Sequence, residues 1–432
     1  MSRKIKVFKF GGSSLKNVEN IGRVVEILRQ HRDQQILIVV SAMGETTNGL
    51  EKVVAAHAKG TGQAISLLQD IRAYHLEILR RLVPDEGQEV YALINDLFVE
   101  IEWVLDEAPH DNYDYMYDQV VGFGELLSSR IIQAALQQAD LPTTWFDARD
   151  VILTDNLYRE GWVQWDQTIA RAKQVLTPLL GEPGFLITQG FIGSTSENFT
   201  TTLGREGSDY SAAIFSHCLD AASMTVWKDV AGVLNADPKI FDNVIRLDRI
   251  SYKEAIEMTY YGARVIHLKT VKPLQNKNIP LYIKSYLHPE DPGTAISGDV
   301  DVSYPPIIAI EKNQALLQIS TLDFSFVAEQ HISTLFQHIA RFRLQVNTMQ
   351  NTGLSFVVCF NDIDEKVDQF VEAISADFQV YVDRGVELIT VRHYQKDLLE
   401  ELVSGKVVLM EERIKDTAQM VVKTVPRLKL KS

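Results

Sequence analysis

The sequence predicts an α/β protein with an open, mainly parallel sheet covered by helices on both faces, followed by two small α+β modules. Three observations support this fold class. The chain opens with a strand pattern, a glycine turn, a helix pattern and a second, wholly apolar strand pattern. Further strand patterns each lead into a polar or glycine-bearing loop. Towards the C-terminus the pattern changes to two consecutive βαββ series.

The first elements follow from apolar periodicity. Residues 5–10 are predicted to form a strand that ends at Gly11 and Gly12. The helix pattern that follows places four apolar residues on one face, Val18, Ile21, Val25 and Leu28. Residues 36–40 form a continuous apolar run, which is typical of a buried parallel strand.

The middle of the chain extends this sheet. Residues 49–139 are mostly helical in pattern and have charged faces. We predict further core strands at residues 142–146, 184–189 and 222–228. Since ligands of open parallel sheets bind beyond the carboxyl ends of the strands, the loops after these strands are the expected site.

The segment 288–306, rich in Pro, Gly, Asp and Ser, predicts the main domain boundary. We expect one domain at residues 1–297 and a second region of two small α+β modules at residues 305–432.

Composition excludes several classes of protein. A chain of 432 residues is too long for one ordinary hydrophobic core. Its net charge of -14 disfavours binding to nucleic acid or to an anionic membrane. The two cysteines, Cys218 and Cys359, have no metal-ligand spacing. No apolar run has the length of a signal region or a membrane span, so we expect a cytoplasmic protein.

Lys9, Gly11 and Gly12 are the first residues with possible chemistry. Adjacent glycines let a backbone approach phosphate closely, and Lys9 can place a cation on a phosphoryl group. The alternative is a glycine turn after an exposed lysine. The Walker pattern and the protein-kinase motifs do not occur.

A second stretch, residues 200–209, combines hydroxyls, glycines and an arginine before a helix pattern. Arg205 can form a bidentate pair with a carboxylate. Asp209 stands where a helix N-cap belongs, and capping is its alternative role.

The other candidates each have a simple structural alternative. Residues 227–239 carry two lysines and two aspartates, which suits a nucleotide loop or a solvated charged loop. Glu125 precedes an apolar helix and could be a ligand or a first-turn glutamate. Ser41 and Thr47 could bind a ligand or belong to a turn. Together these signals suggest phosphoryl transfer to a carboxylate.

Five blocks of the sequence, in order, resemble motifs of the aspartate kinases. Residues 9–15 resemble K-F-G-G-T-S-V, and residues 40–48 resemble V-S-A-M-G-G-T-T-N. The remaining blocks are 190–193 with 201–209, 229–239, and 251–252 with 262–267. They cover most of residues 1–297, and the C-terminal modules resemble the paired ACT domains of this family. The resemblance implies a catalytic domain at residues 1–297 and a regulatory region at residues 305–432, with modules at about 314–384 and at 305–313 with 385–424.

The resemblance implies an amino-acid-kinase fold that transfers phosphate from ATP, with Mg²⁺ held mainly by the nucleotide, to L-aspartate. The reaction would open the pathway to lysine, diaminopimelate, threonine and methionine. Lys9 and Asp209 would be catalytic. The substrate would be held by Ser41, Thr47, Glu125, Arg205 and Ser208. The nucleotide would contact Lys9, Phe10, Gly11, Gly12, Ser13, Lys228, Asp229, Lys239, Arg264 and Val265. No protein metal site is expected. A homodimer through the ACT-like region is expected.

Four of the departures from the family pattern bear on the ligand loops and on regulation. Glu206 replaces a usual glycine, and Leu234 replaces a tyrosine often found near the adenine. Gln330 stands where a glycine commonly opens the helix at the effector site, and Asn347 where an aspartate often meets the effector. We therefore expect a weak response, or none, to lysine and threonine.

Two rival functions are a related amino-acid kinase acting on another carboxylate and a catalytically silent amino-acid-binding regulator. Arg205 and the ACT-like tail argue against the first. The presence of Lys9 and Asp209 argues against the second. The length leaves no room for an added homoserine dehydrogenase domain, so we expect a monofunctional enzyme.

Overall fold

The structure, a computed structural model, describes residues 5–180, 184–262, 266–298, 300, 303–323, 325–363 and 365–424. The chain separates into two compact units. The first comprises Met1–Val233, Arg246–Ile256 and Arg264–Val302, and the second comprises Leu234–Ile245, Glu257–Ala263 and Ser303–Ser432.

An eight-stranded sheet forms the centre of the first unit. Its strands are β1 (Lys6–Phe10), β2 (Ile36–Val40), β3 (Thr143–Trp145), β4 (Phe185–Gln189), β7 (Ser223–Lys228), β8 (Arg249–Ser251), β9 (Leu281–Ser285) and β10 (Thr294–Ser297). Their order is β3-β4-β2-β1-β7-β9-β10-β8, and every pair is parallel except β9 with β10. A separate hairpin joins β5 (Ile192–Ser194) to β6 (Thr200–Thr202).

The helices of this part of the chain are α1 (Gly12–Leu15), α2 (Val18–Arg29), α3 (Thr46–Ala58), α4 (Ala64–Leu82), α5 (Glu89–Asp106), α6 (Tyr113–Val121), α7 (Phe123–Gln138), α8 (Trp165–Leu179), α9 (Gly207–Cys218), α10 (Tyr252–Tyr260) and α11 (Leu268–Asn276). All five side chains of β2 are at most 1% exposed. Because neighbouring side chains of a strand point to opposite faces, the sheet is covered on both faces there, as predicted.

The buried face of α2 differs slightly from the face that the apolar pattern predicts. Ile21, Val24, Ile27 and Leu28 are buried, whereas Val25 is only partly buried. The predicted face is therefore rotated by about one residue.

A six-stranded antiparallel sheet organises the second unit, in the order β12-β13-β11-β14-β16-β15. Its elements are β11 (Ile307–Thr321), α12 (Glu329–Arg341), β12 (Val346–Asn351), β13 (Phe356–Asn361), α13 (Lys366–Ile374), β14 (Phe378–Arg392), α14 (Lys396–Leu402), β15 (Lys406–Ile414) and β16 (Thr417–Thr424). The α+β class of this region is confirmed.

The strands β11 and β14 are each 15 residues long and pair with each other, with an irregularity between Glu311 and Ala315. The sequence predicts strands at residues 315–320 and 378–382 and a further strand series that begins at residue 387, but not two continuous strands of this length. Helices α12 and α13 contribute to one apolar cluster on this sheet, and α14 contributes to another.

None of the helices in the described part of the chain combines the length and the apolar character that a membrane span needs.

Candidate active site

Four neighbouring parallel strands of the first unit, β4, β2, β1 and β7, end at the same edge of the sheet. Phe10, Val40, Gln189 and Lys228 are their last residues. The loops that follow carry most of the predicted site residues. The parallel arrangement therefore brings these loops together where open α/β sheets bind their ligands.

Lys9, Asp209 and Lys228 form a charged cluster at this edge. Lys9 Nζ lies 2.6 Å from Asp209 Oδ1, and Lys228 Nζ lies 3.7 Å from Oδ2. Both Lys9 and Asp209 are buried. Burial by itself raises the pKa of Asp209, but the two ammonium groups outweigh this effect and leave its pKa lowered. Asp209 is therefore an ionised carboxylate between two cations.

Asp209 is not the cap of α9. The N-cap residue is Glu206, and Asp209 is the third residue of the helix. Capping, the alternative role for Asp209, is wrong because the helix begins three residues earlier than that role requires.

The glycines after β1 have different surroundings. A Cβ atom at Gly12 would lie 2.8 Å from the Ala42 carbonyl oxygen and 3.0 Å from that of Gly44. The Gly44 amide also donates to the Gly12 carbonyl at 3.1 Å. Gly12 is thus required for close packing of the loops after β1 and β2. At Gly11 a Cβ atom would meet Lys9 Nζ at 3.5 Å, an ordinary contact.

Glu125 lies in the first turn of α7 and is buried. The Ala42 amide donates to its Oε1 at 3.1 Å, while Oε2 has no hydrogen-bond partner in the described parts of the chain. Burial raises the pKa of Glu125 to about 8, against the opposing effects of backbone donors and of Lys9. A buried acid with a free oxygen beside the loop after β2 is able to bind a cationic group.

The other predicted substrate residues are Ser41, Thr47, Arg205 and Ser208. Ser41 and Thr47 are half-buried, and Ser208 is packed so that a Cβ atom at Gly190 would lie 2.5 Å from its own Cβ. The hydroxyls of the three residues have no hydrogen-bond partner among the side chains and backbone groups that the structure describes. Arg205 is exposed. All four are available to a ligand.

The predicted nucleotide residues are spread more widely. The Phe10 ring is fully buried and stacks on Trp227, and the Phe10 carbonyl accepts a hydrogen bond from the Ser41 amide at 3.1 Å. The ring and the carbonyl of Phe10 are therefore both engaged within the protein. Asp229 is exposed and Ser13 is half-buried. Lys239 is exposed and lies, like Leu234, on the segment Leu234–Ile245 of the second unit. Arg264 and Val265 lie outside the described residues.

Comparison with known proteins gives the family. The model described as "Amino acid kinase family" matches residues 4–285. The chain belongs to this family. It is 30% identical over 401 residues to lysine-sensitive aspartokinase 3 of Escherichia coli, a match that covers 89% of this chain and 86% of the relative. The resemblance to aspartate kinases is therefore confirmed, and this amino acid kinase is a phosphotransferase with a carboxyl group as acceptor.

Two further similarities concern the architecture. The crystal structure of E. coli aspartokinase III in complex with aspartate and ADP aligns with a TM-score of 0.82 and 27% identity, covering 97% of this chain and 96% of that one. A bifunctional aspartokinase/homoserine dehydrogenase of Zea mays is 28% identical over 397 residues, which is 88% of this chain but 42% of the relative. The amino-acid-kinase fold with a C-terminal regulatory region is confirmed.

In this amino acid kinase, some residues that hold the loops of the candidate site in place were not predicted from the sequence. Asp118 accepts hydrogen bonds from the Thr202 hydroxyl at 2.7 Å and from the Thr202 and Arg159 amides at 2.9 Å each, which fixes β6 ahead of the Arg205 loop. The Tyr74 hydroxyl donates to the Lys16 carbonyl at 2.7 Å, close to Gly44. No local motif marks such residues, because their partners lie 41 to 84 positions away in the sequence.

Glu206 adopts a left-handed backbone conformation, with φ of 54°. This conformation strains a residue that has a Cβ atom, and Glu206 Oε2 is also buried without a hydrogen-bond partner in the described chain. We expect Glu206→Gly to raise the free energy of unfolding by about 0.5–1 kcal/mol, as measured by denaturant titration.

The matched control for this prediction is Gly204→Ala in the same loop, where φ is 77° and a Cβ atom would lie 3.2 Å from the Arg159 carbonyl oxygen. This substitution should lower stability by about 1 kcal/mol or more. A destabilised Glu206→Gly protein would contradict the strain at Glu206.

Proposed function

We propose that this protein transfers the γ-phosphoryl group of ATP to the side-chain carboxylate of L-aspartate, giving ADP and 4-phospho-L-aspartate. The observation that carries the proposal is the buried Lys9–Asp209–Lys228 cluster at the carboxyl ends of the central strands. The ligands named for the similar E. coli structure, aspartate and ADP, support it. The reaction would be the first step towards lysine, threonine and methionine.

The chemistry needs little from the protein beyond position and charge. The acceptor carboxylate is already an anionic nucleophile, so no general base is required. Lys9 and Lys228 would stabilise the charge on the phosphoryl oxygens, and ionised Asp209 would hold both ammonium groups in place.

Mg²⁺ fits this site best as a companion of the nucleotide. Asp209, the buried carboxylate beside Lys9, has a lysine ammonium next to each of its oxygens, which makes it a poor ligand for a cation. When bound, the ion would neutralise phosphate charge.

In this proposal Arg205 holds the aspartate α-carboxylate and Glu125 its ammonium group. The exposed guanidinium of Arg205 is free to form a bidentate pair. The free Oε2 of Glu125 is able to accept a hydrogen bond from the ammonium group. Ser41, Thr47 and Ser208 add hydroxyls, whereas Phe10, Gly11, Gly12, Ser13, Lys228, Asp229, Lys239, Arg264 and Val265 are proposed for ATP.

The raised pKa of Glu125 predicts that aspartate binding releases a proton. With a pKa of about 8, Glu125 is mostly protonated at pH 7 in the free protein. A bound ammonium group favours the carboxylate, so the proton leaves. Calorimetric titration of aspartate at pH 7, in buffers of different ionisation enthalpy, should show close to one proton released per site.

The control is Glu125→Gln, which should release no proton on aspartate binding.

The raised pKa of Glu125 also predicts how the stability of the protein depends on pH. The unfolded carboxyl ionises near its ordinary value of 4.5 and the folded one near 8, so folding free energy is lost as pH rises between these values. Glu125→Gln should therefore be stabilised relative to the native chain at pH 7 and not at pH 4. Equal proton release by the native protein and the Glu125→Gln variant would contradict the role of Glu125.

The catalytic proposal is tested by trapping the acyl phosphate with hydroxylamine. Hydroxamate formation should depend on both ATP and L-aspartate. A panel with glutamate, acetylglutamate and carbamate tests the first rival function, since a preferred substrate among these three would overturn the proposal. A folded protein that makes no hydroxamate with any of them would indicate the silent regulator instead.

For the second unit we propose two ACT-like modules that form a homodimer but respond weakly, or not at all, to lysine and threonine. Both amide hydrogens of Asn347 have partners within the unit, Gln314 Oε1 at 2.6 Å and Asn361 Oδ1 at 3.0 Å. An amide also lacks the charge that an ammonium group would favour. Gln330, the second residue of α12, adds a side chain where the family commonly has glycine.

Titration of lysine and threonine, singly and together, into the hydroxamate assay should leave the rate almost unchanged. Light scattering on the same samples should give the mass of a dimer. Strong inhibition by either amino acid below about 1 mM, which corresponds to a binding free energy of about -4 kcal/mol, would contradict the proposal.

A further inference from the structure

A cavity of about 660 Å³ lies in the first unit between α8, with the loop before it, and the helices α9 and α11. This volume is typical of small-molecule sites. Its walls are mainly apolar and aromatic, formed by Trp162, Trp165, Ile169, Tyr210, Leu268 and Pro273. The Trp165 ring lies edge-on to the His217 ring, with centroids 5.1 Å apart. None of these side chains belongs to the proposed catalytic site.

Three charged side chains also line the cavity, Glu160 on the loop and Lys269 and Lys272 on α11. Glu160 and Lys272 have no ion-pair or hydrogen-bond partner in the part of the chain that the structure describes. Lys269 Nζ donates one long hydrogen bond, 3.4 Å, to the Leu203 carbonyl. The cavity thus offers one carboxylate and two lysine ammonium groups to a ligand, beside an apolar wall.

This combination complements one class of ligand. An apolar side chain suits the aromatic wall, a carboxylate suits the two lysines, and an ammonium group suits Glu160. We propose that the cavity binds an apolar L-α-amino acid, and that the bound ligand acts on the Arg205 loop.

The action on the loop follows from Gly204, the neighbour of Arg205. A Cβ atom at Gly204 would lie 3.3 Å from Glu160 Cγ and 3.6 Å from Lys269 Nζ, so both head-group residues flank this backbone. A ligand carboxylate that draws Lys269 away from the Leu203 carbonyl releases a contact that holds the loop. This second half rests on the proposed function, in which Arg205 binds aspartate.

Calorimetric titration of the full chain with L-phenylalanine tests the site without turnover. L-Phenylalanine should bind, whereas 3-phenylpropionate, without the ammonium group, and phenethylamine, without the carboxylate, should each bind about tenfold more weakly or worse. Lys272→Gln and Glu160→Gln should each weaken L-phenylalanine binding by about the same factor.

The matched control is Lys173→Gln, which removes an exposed lysine of α8 that does not line the cavity and should leave binding unchanged. Ile169→Trp, which fills the cavity, should abolish binding while circular dichroism stays native. Absence of binding at about 10 mM, or equal binding of the three compounds, overturns the site.

The coupling is read from the hydroxamate assay. Saturating L-phenylalanine should change the aspartate KM by at least about twofold and leave the ATP KM unchanged, since only the Arg205 loop is contacted. Lys269→Gln should remove the effect. Ligand that binds without moving the aspartate KM overturns the coupling. If the protein lacks aspartate kinase activity, the calorimetric result stands on its own.

Discussion

Replacing Lys9 with methionine is expected to lower kcat by a factor of about 10² or more while the protein remains folded. The Lys9 ammonium is buried at the carboxyl end of β1, where the proposed phosphoryl transfer develops negative charge. A preorganised cation acts mainly in the transition state, so kcat should fall far more than substrate affinity. Steady-state kinetics by the hydroxamate assay measures this directly.

The control is Lys6→Met, which removes a lysine from the other end of the same strand and should leave kcat unchanged. Removing Lys9 also leaves Asp209 buried with Lys228, at 3.7 Å, as its one remaining cationic neighbour among the described residues. Breaking a buried pair costs up to about 3–5 kcal/mol, so stability is measured in parallel. Lys9→Met with Asp209→Asn removes both charges and provides a folded inactive reference. Near-normal turnover in folded Lys9→Met protein would exclude Lys9 from catalysis.

The second large effect separates the two substrates. Arg205→Ala should raise the aspartate KM by about 10- to 150-fold, the equivalent of a lost charge-assisted hydrogen bond of about 1.5–3 kcal/mol. The ATP KM should change little. Lys239→Ala should do the reverse, because Lys239 is proposed to bind the nucleotide.

Arg205→Lys is the informative companion variant. A lysine keeps the charge but cannot form the planar bidentate pair, so its aspartate KM should lie between those of the native and alanine proteins. Because the Arg205 side chain is exposed, the alanine and lysine substitutions should each change the free energy of unfolding by no more than about 0.5 kcal/mol. Equal or exchanged effects on the two substrates would show that the loops are assigned to the wrong ligands.

The central strands could be predicted because their sequences show the apolar pattern of buried strands. β2 is apolar throughout, β4 is apolar over its first three residues, and β1 and β7 end in residues with recognisable chemistry. The β5–β6 hairpin and β8 gave no comparable signal. Each of their strands has three residues, and β6 consists of threonines alone.

The site was predictable in its residue types but not in its geometry. Motif order brought Lys9, Glu125 and Asp209 to attention, yet only the fold shows that Asp209 contacts both Lys9 and Lys228. The capping role of Asp209 was a reasonable local interpretation. It failed because Glu206 accepts a left-handed conformation and starts the helix earlier, against the preference of a residue with a side chain.

The long strands β11 and β14 have a consequence for protein engineering. Each of these two strands contributes to both modules of the six-stranded sheet. No single cut in the chain therefore separates one module from the other. A truncation after Arg392 would remove β15 and β16 and expose the backbone hydrogen-bonding groups of β14, a new edge open to aggregation. The two modules should therefore unfold as one cooperative unit, and a graft of this region onto another enzyme must carry the whole sheet.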